Sequence, residues 1–316
     1  MSVSVVVITF ERPDFVARCL DHLRAQTYPP IEIVVIDSSL SVDTEQLIRA
    51  RFPGVTYRRS SAGAGAMATA RDIGFRMTRG EILAFIDDDA FAEPDWLENL
   101  VPHYRDPEVG GVGGRQVRGQ LGEISAGVEA IGRLRPDGTL TGNFAADPGR
   151  PVEVDHMLGA NMSFRRSVIE QIGGIRDGYG GTCVREETDL CLRVAHAGFR
   201  LMYTPDAVVE HVAAPYAKGQ RFDLRYAYWD QKNHVIVLIR NFGLFDPIVR
   251  RYLLTSFRRL AKDSSDRSRR SWSRARGRDA RGAFAAAGGA VFRPAVVVAA
   301  TATGLAAGFL LAREDT

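Results

Sequence analysis

From the N-terminus to about residue 117, short β-branched runs alternate with helical patterns, and few architectures absorb that alternation. Val3 to Thr9 reads as a strand, and Phe15 to Gln26 as an amphipathic helix with Pro13 near its start, where a missing N–H costs nothing. Ile31 to Ile36 is an Ile/Val run of the kind found in strands covered on both faces. Thr44 to Arg51 and Ala66 to Thr78 are helical, and Val55 to Arg58 and Ile82 to Ile86 are strand-like. Strand-helix repetition predicts a parallel sheet with right-handed crossovers, and ligands of such sheets bind beyond the carboxyl ends of the strands.

Those ends are acidic and polar. The first strand runs into Thr9-Phe10-Glu11-Arg12, the second into Asp37-Ser38-Ser39, and the strand at Ile82 into Asp87-Asp88-Asp89. Three consecutive carboxylates after an apolar strand repel one another, and a folded chain accepts this chiefly where a cation will sit. Side-chain alternation sends Asp87 and Asp89 to one side and Asp88 to the other. An i, i+2 carboxylate pair suits Mn2+ or Mg2+ and leaves positions for phosphate oxygens.

Downstream the pattern changes. Residues 118 to 151 are rich in Gly, Pro and Asp and include Arg135-Pro-Asp-Gly-Thr139, a turn sequence able to close a hairpin. A segment from Val152 to Phe164, a short helix to Ile172, a glycine cluster at 173 to 181, a helix from about Glu187 to Ala197, and two short strands, Arg200 to Tyr203 and Ala207 to His211, follow. His156 is a candidate to line a cleft, and Trp96 to form core or cleft wall.

Several of these segments, taken in order, resemble family 2 glycosyltransferases. They are Val6-Val-Ile-Thr with Arg12, the Asp37 strand end, Ala70-Arg71-Asp72 before Gly80-Glu81-Ile82, and Phe85-Ile-Asp-Asp-Asp89. Gly159-Ala-Asn-Met-Ser-Phe-Arg165, Gly173-Gly174, Glu186-Glu-Thr-Asp-Leu-Cys-Leu-Arg193 and Tyr203-Thr-Pro-Asp206 continue the series over about residues 3 to 215. The resemblance implies a GT-A fold, a Rossmann-like and mostly parallel sheet flanked by helices, and inverting transfer of a sugar from a nucleotide diphosphate donor. By position, Thr9, Phe10, Glu11, Arg12 and Asp37 would hold the nucleobase, and Arg71 the base or the phosphates. Asp87, with Asp88 beside it, would face the ribose, and Asp89 would bind the metal, with Asp87 and His211 as further candidate ligands. Where the family usually shows Glu-Asp, this chain has Glu186-Glu187, which makes Glu187 the expected general base and leaves Glu186 and Asp189 as competitors. Asp189 also fits an i, i+4 pair with Arg193. The late Arg-Trp signature of processive synthases is missing, since Trp229 follows Tyr228 and Trp272 follows Ser271, so single-sugar transfer is expected.

Charge sharpens the division of the chain. The formal total is +3, yet between Arg250 and Arg281 stand twelve basic residues against three acidic ones, so the remainder is acidic. After residue 215 the sequence predicts amphipathic helices over 216–262, an Arg/Ser-rich linker over 263–282, and an apolar C-terminal helix within 283–316. Ala295 to Ala312 carries no charge, but as a helix it reaches only ~27 Å against a hydrocarbon core of ~30 Å. Its aromatic and basic neighbourhood predicts a membrane-surface enzyme at the cytoplasmic face, peripheral or with a single C-terminal anchor, acting on a glycan or lipid-linked acceptor. Three cysteines without metal-ligand spacing indicate a reducing compartment. The N-terminal run is too short for a signal peptide. The nearest rival is a sugar-phosphate nucleotidyltransferase, but Thr9-Phe10-Glu11-Arg12 lacks the Gly-rich loop such enzymes place there. A nucleic-acid module built on the Arg-rich tail is disfavoured because stacking aromatics are not interleaved with the arginines. The donor nucleotide is left open by the sequence, with UDP modestly favoured at Asp37.

Overall fold

The computed structural model describes residues 1–117, 128–181, 184–212, 214, 223–260 and 280–315, with side chains from 294 onward in the last stretch. Residues 263–279 of the expected Arg/Ser-rich linker, Trp272 and Cys183 lie outside the described residues, and the last helix begins at 280, within the linker's expected end at 282. Contacts divide the chain into two units. The first holds 1–134, 140–179 and 186–217; the second holds 135–139, 180–185 and 218–316.

The first unit is built on one sheet. Strands β1 (Val3–Thr9), β2 (Glu32–Asp37), β3 (Thr56–Arg59) and β4 (Ile82–Asp87) are mutually parallel in the order β3-β2-β1-β4. All seven residues of β1 are buried, as the Val-rich run requires of a strand covered on both faces. Helix α1 (Pro13–Arg24) buries Val16, Leu20 and Leu23 at i, i+4 and i+7 against this sheet, each contributing about 1.5–3 kcal/mol by leaving water. Helices α2 (Asp43–Arg51) and α3 (Met67–Met77) make the next two crossovers.

Beyond β4 the sheet departs from the mostly parallel expectation. After β5 (Ala90–Ala92) and helix α4 (Trp96–Leu100) come β6 (Val109–Val117), β7 (Val152–Val154), β8 (Met162–Arg165) and β9 (Arg200–His211). Strand β8 is antiparallel to both β4 and β6, and β5 and β7 are antiparallel to β9. Strands β6 and β9 are parallel, so the sheet is mixed, its antiparallel pairs being those made by β5, β7 and β8. Helices α5 (Arg166–Gln171) and α6 (Glu186–His196) complete the layer. The two short strands expected at 200–203 and 207–211 are one strand. Pro205 sits where the β6–β9 register jumps between Gly114/Thr204 and Gln116/Val209, a bulge that needs no ladder hydrogen bond from proline.

In the second unit, helix α7 (Leu224–Phe242) starts from an Asp223 cap that accepts the Tyr226 N–H at 2.7 Å. Helix α8 spans 247–260 and α9 spans Ala280–Glu314. The 135–139 turn closes as the sequence suggests, with the Arg135 N–H donating to Thr139 O at 2.8 Å.

Candidate active site

Register assembles the acidic rim. Thr9 stands opposite Asp37 across β1–β2, and Ile8 opposite Asp87 across β1–β4, so three strand ends finish level. Asp88 and Asp89 follow as a turn, and β5 resumes at once and pairs Ala90 with His211 of β9. That pairing carries a histidine distant in sequence to the aspartates. One ligand atom each from Asp87, Asp89 and His211 lie within 4.8 Å of one another.

Alternation separates the middle aspartate from the outer two. Asp88 is buried and accepts from the Thr9 hydroxyl at 2.7 Å and from Arg12 Nη1 at 3.0 Å. Arg12 Nη1 also reaches Asp89 Oδ2 at 3.3 Å. Burial pushes the Asp88 carboxyl up, and Arg12 only partly opposes it. Burial also raises Asp87, against the opposing charge of Arg71. For Asp89 burial is outweighed. The hydrogen bond and charge of His211, the charge of Arg12 and the Ala214 N–H at 2.8 Å hold its carboxyl below the ordinary range. Asp89 is thus the carboxylate best kept ionised for a cation.

His211 Nε2 lies 3.2 Å from Asp89 Oδ1, and its Nδ1 meets the side-chain amide of Gln116. Gln116 Oε1 is buried without a partner. A half-turn of that amide would let Oε1 accept the Nδ1–H of His211, and with the imidazole neutral its Nε2 lone pair would face the aspartates, the usual support of a metal-bound imidazole. Two carboxylates and one imidazole suit Mn2+ and tolerate Mg2+.

Arg71 occupies the floor. Its side chain is 1% exposed, and it bridges Asp87 Oδ1, 2.9 Å from Nη2, and Glu186 at the start of α6. The sequence places Arg71 at the base or phosphates; in the structure two of its nitrogens face protein carboxylates. Gly159 makes room for it, since a Cβ there would lie 2.6 Å from Arg71 Nη2.

The three candidate bases differ in environment. Glu186 is buried against Arg71, and Asp189 is buried with its carboxylate 3.9 Å from Arg193. Glu187, between them on the first turn of α6, is only half-buried, and its negative charge is felt at Asp87.

At the second strand end Asp37 is fully buried. Its Oδ1 accepts the Ser39 N–H at 2.8 Å and its Oδ2 accepts the Tyr57 hydroxyl at 2.9 Å. Burial and the neighbouring Asp37, against the opposing Arg59, push the Tyr57 phenol up to about 12, so it stays a donor. Glu11 adopts φ 52°, a left-handed conformation costly for a residue with a Cβ. It is held there by its N–H to Ser39 Oγ at 2.6 Å and by its carboxylate on Leu40 N at 2.6 Å. Phe10 beside it is half-exposed. Backbone strain over-determined in this way concentrates at functional sites.

Other expectations resolve as structure. His156 is buried, its Nε2 on Thr141 O at 2.8 Å, and Trp96 is core, its Nε1 donating to Asn161 Oδ1 at 2.8 Å. Gln116 and Tyr57 are not marked by any local pattern in the sequence, whereas Ser39 stands in the strand end already singled out and Gly159 in a motif.

A mixed α/β sheet flanked by helices, with carboxylates and a histidine gathered at its strand ends, has the GT-A architecture that the sequence resemblance implies. The profile described as Glycosyl transferase family 2 matches residues 4–173. The glucosyl-dolichyl phosphate glucuronosyltransferase of Haloferax volcanii is 30% identical over 224 residues, 67% of this chain and 69% of that protein. The pre-mycofactocin glycosyltransferase of Mycobacterium tuberculosis is 29% identical over 214 residues, 66% of this chain but only 42% of that protein's length. Among solved structures, the mannosyltransferase PcManGT from Pyrobaculum calidifontis in complex with GDP-Man and Mn2+ superposes with a TM-score of 0.54 at 21% identity, covering 99% of this chain and 87% of that one. The chain belongs to glycosyltransferase family 2.

Proposed function

We propose that this glycosyltransferase moves one sugar from a nucleoside diphosphate sugar to an acceptor hydroxyl with inversion at the anomeric carbon, with a divalent cation at Asp87, Asp89 and His211. The observation that carries the proposal is the convergence of those three ligands beside the half-buried Glu187. A bound cation would neutralise charge on the departing nucleoside diphosphate without proton transfer. Asp37, with the turn at Phe10 and Glu11, takes the nucleobase, and uridine donors are the first to test because a buried carboxylate acceptor suits a base with an N–H edge. Glu187 removes the proton of the acceptor hydroxyl, a step that needs one carboxylate and no covalent intermediate. Glu186 and Asp189 are less suited, because each is buried beside an arginine.

The acceptor is proposed to be lipid-linked or part of a cell-surface glycan, met at the cytoplasmic face of the membrane. Support comes from the relative named for a dolichyl phosphate substrate and from the basic, apolar C-terminal region. The segment 118–151 and the C-terminal helices are the surfaces expected to recognise it.

The experiment is a donor screen that reads released nucleoside diphosphate with Mn2+ and with a chelator. Release from one nucleotide sugar, suppressed by the chelator, is the expected result. Release of pyrophosphate, or release indifferent to the chelator, overturns the reading.

A further inference from the structure

The C-terminal helix looks, by composition, like a membrane anchor: the charge-free 18-residue window within Pro294–Glu314 has a mean hydropathy of 2.1. Its packing is that of a docked helix. Gly304 and Gly308 press on α7 so closely that a Cβ at Gly304 would lie 2.9 Å from Lys232 O, and one at Gly308 3.0 Å from Ile239 Cδ1. Contacts advance together from Thr301 with Gln231, through Gly304 with Val235, to Gly308 with Ile239, so α7 and α9 run parallel.

Polar groups latch the pair. Gln231 is buried on α7. It donates to Thr301 Oγ1 of α9 at 3.0 Å and accepts from Tyr252 of α8 at 2.8 Å, tying three helices at one side chain. At the far end Arg240 forms two bonds to the Asp315 carboxylate, both 2.8 Å. If α9 crossed a bilayer alone, these contacts would be lost. If it crossed with α7, then Asp230, Gln231 and Lys232 would enter the lipid alongside it, where charged side chains carry a large penalty.

The outer faces are different. Along α9, Val298, Phe309 and Leu310 are exposed at 48%, 43% and 60% on a stripe without charge until Arg313. Along α8, Arg250, Leu254, Phe257 and Arg258 fall on one exposed stripe, with Val249 and Tyr252 buried behind, and Phe245 before the helix is 94% exposed. An apolar stripe, a stripe mixing aromatic, aliphatic and arginine side chains, and a local excess of basic residues from Arg250 to Arg281 together suit an anionic lipid surface.

We infer that the helical unit is a one-sided membrane dock: α9 stays latched to α7, and the exposed stripes of α8 and α9 enter only the interface of an anionic bilayer. This deepens the membrane reading proposed above and rests on it.

The test uses the full chain and vesicles of phosphatidylcholine alone or with phosphatidylglycerol. Flotation with the anionic vesicles, release by alkaline carbonate or high salt, and a C-terminus open to added protease are expected. Leu254→Ser with Phe257→Ser, and separately Leu310→Ser, should each cut the floated fraction by roughly tenfold, since each removes apolar surface that would leave water. The thermal melt and the Mn2+ binding strengthened by a nucleoside diphosphate should be kept, which reports that the variants fold. Flotation that resists carbonate with a protected C-terminus would leave the membrane reading standing and overturn one-sided docking. No flotation of the folded wild-type chain would overturn the membrane reading itself. A detergent-free dimer that Leu310→Ser dissociates, with flotation unchanged, would assign the stripe to a second copy and overturn the lipid assignment.

Discussion

Replacing Arg71 with methionine tests whether the floor of the site is an ion-pair hub. Arg71 lies between Asp87, whose side chain is 19% exposed, and Glu186, at 1%. Its removal leaves Glu186 a buried carboxylate without its cation, a change that costs about 3–5 kcal/mol, while Asp87 recovers part of its hydration. With a urea slope of about 2 kcal/mol per molar, that loss lowers the unfolding midpoint by roughly 2 M. Trp96, fully buried in the first unit, reports the transition in a Trp229→Phe, Trp272→Phe background. Adding Glu186→Met removes the stranded charge and should return at least half of the loss, because an ion pair replaced by apolar groups is often close to neutral. An arginine kept for the donor phosphates would behave differently, weakening donor binding with little change in stability. An Arg71→Met variant as stable as the wild type, or a double variant no more stable than the single one, would refute the hub.

Two further outcomes follow from the same geometry. Glu187→Gln should keep donor binding, measured by titration calorimetry, and lose turnover by on the order of 10² or more; a variant of undiminished turnover assigns the base elsewhere. Gly159→Ala places a Cβ 2.6 Å from Arg71 Nη2 and should cost about 1–3 kcal/mol as an overpacked site, read as a lowered melting temperature. An unchanged melt would mean that Arg71 relaxes without loss.

Strands β1, β2 and β4 are legible in the sequence because a covered strand reads as an unbroken apolar run, and the exposed edge strand β3, Thr-Tyr-Arg-Arg, is legible from the strand-helix alternation around it. The aspartate triplet is legible because three adjacent carboxylates at the end of an apolar strand demand positive charge, part of which Arg12 and Arg71 supply. The mixed half of the sheet is not legible: β5, β7 and β8 are three or four residues long, too short to show a period, and their partners are set by tertiary contacts. Pro205 argues for a break between two strands, and only the bulge opposite Gly114 and Gln116 explains why the strand continues. Glu186, Glu187 and Asp189 are equivalent as letters; what separates them is which arginine each meets, a property of α3 and α6 together. The apolar C-terminal run illustrates the same limit, since composition marks it as a candidate span while its packing on α7 through Gly304, Gly308 and Thr301 is a tertiary property that no local pattern announces.

The central claim is that Asp87, Asp89 and His211 hold the cation that receives a nucleoside diphosphate. Its most direct test is a Mn2+ titration followed by the electron paramagnetic resonance of the free ion, with UDP and then GDP present, on the wild-type chain and on Asp89→Asn. The account predicts a saturable site strengthened by a nucleoside diphosphate and weakened in Asp89→Asn by more than the roughly 10–100-fold that loss of a supporting residue costs. Wild-type-like Mn2+ binding by folded Asp89→Asn, or no nucleotide-strengthened site in the wild type, would contradict it.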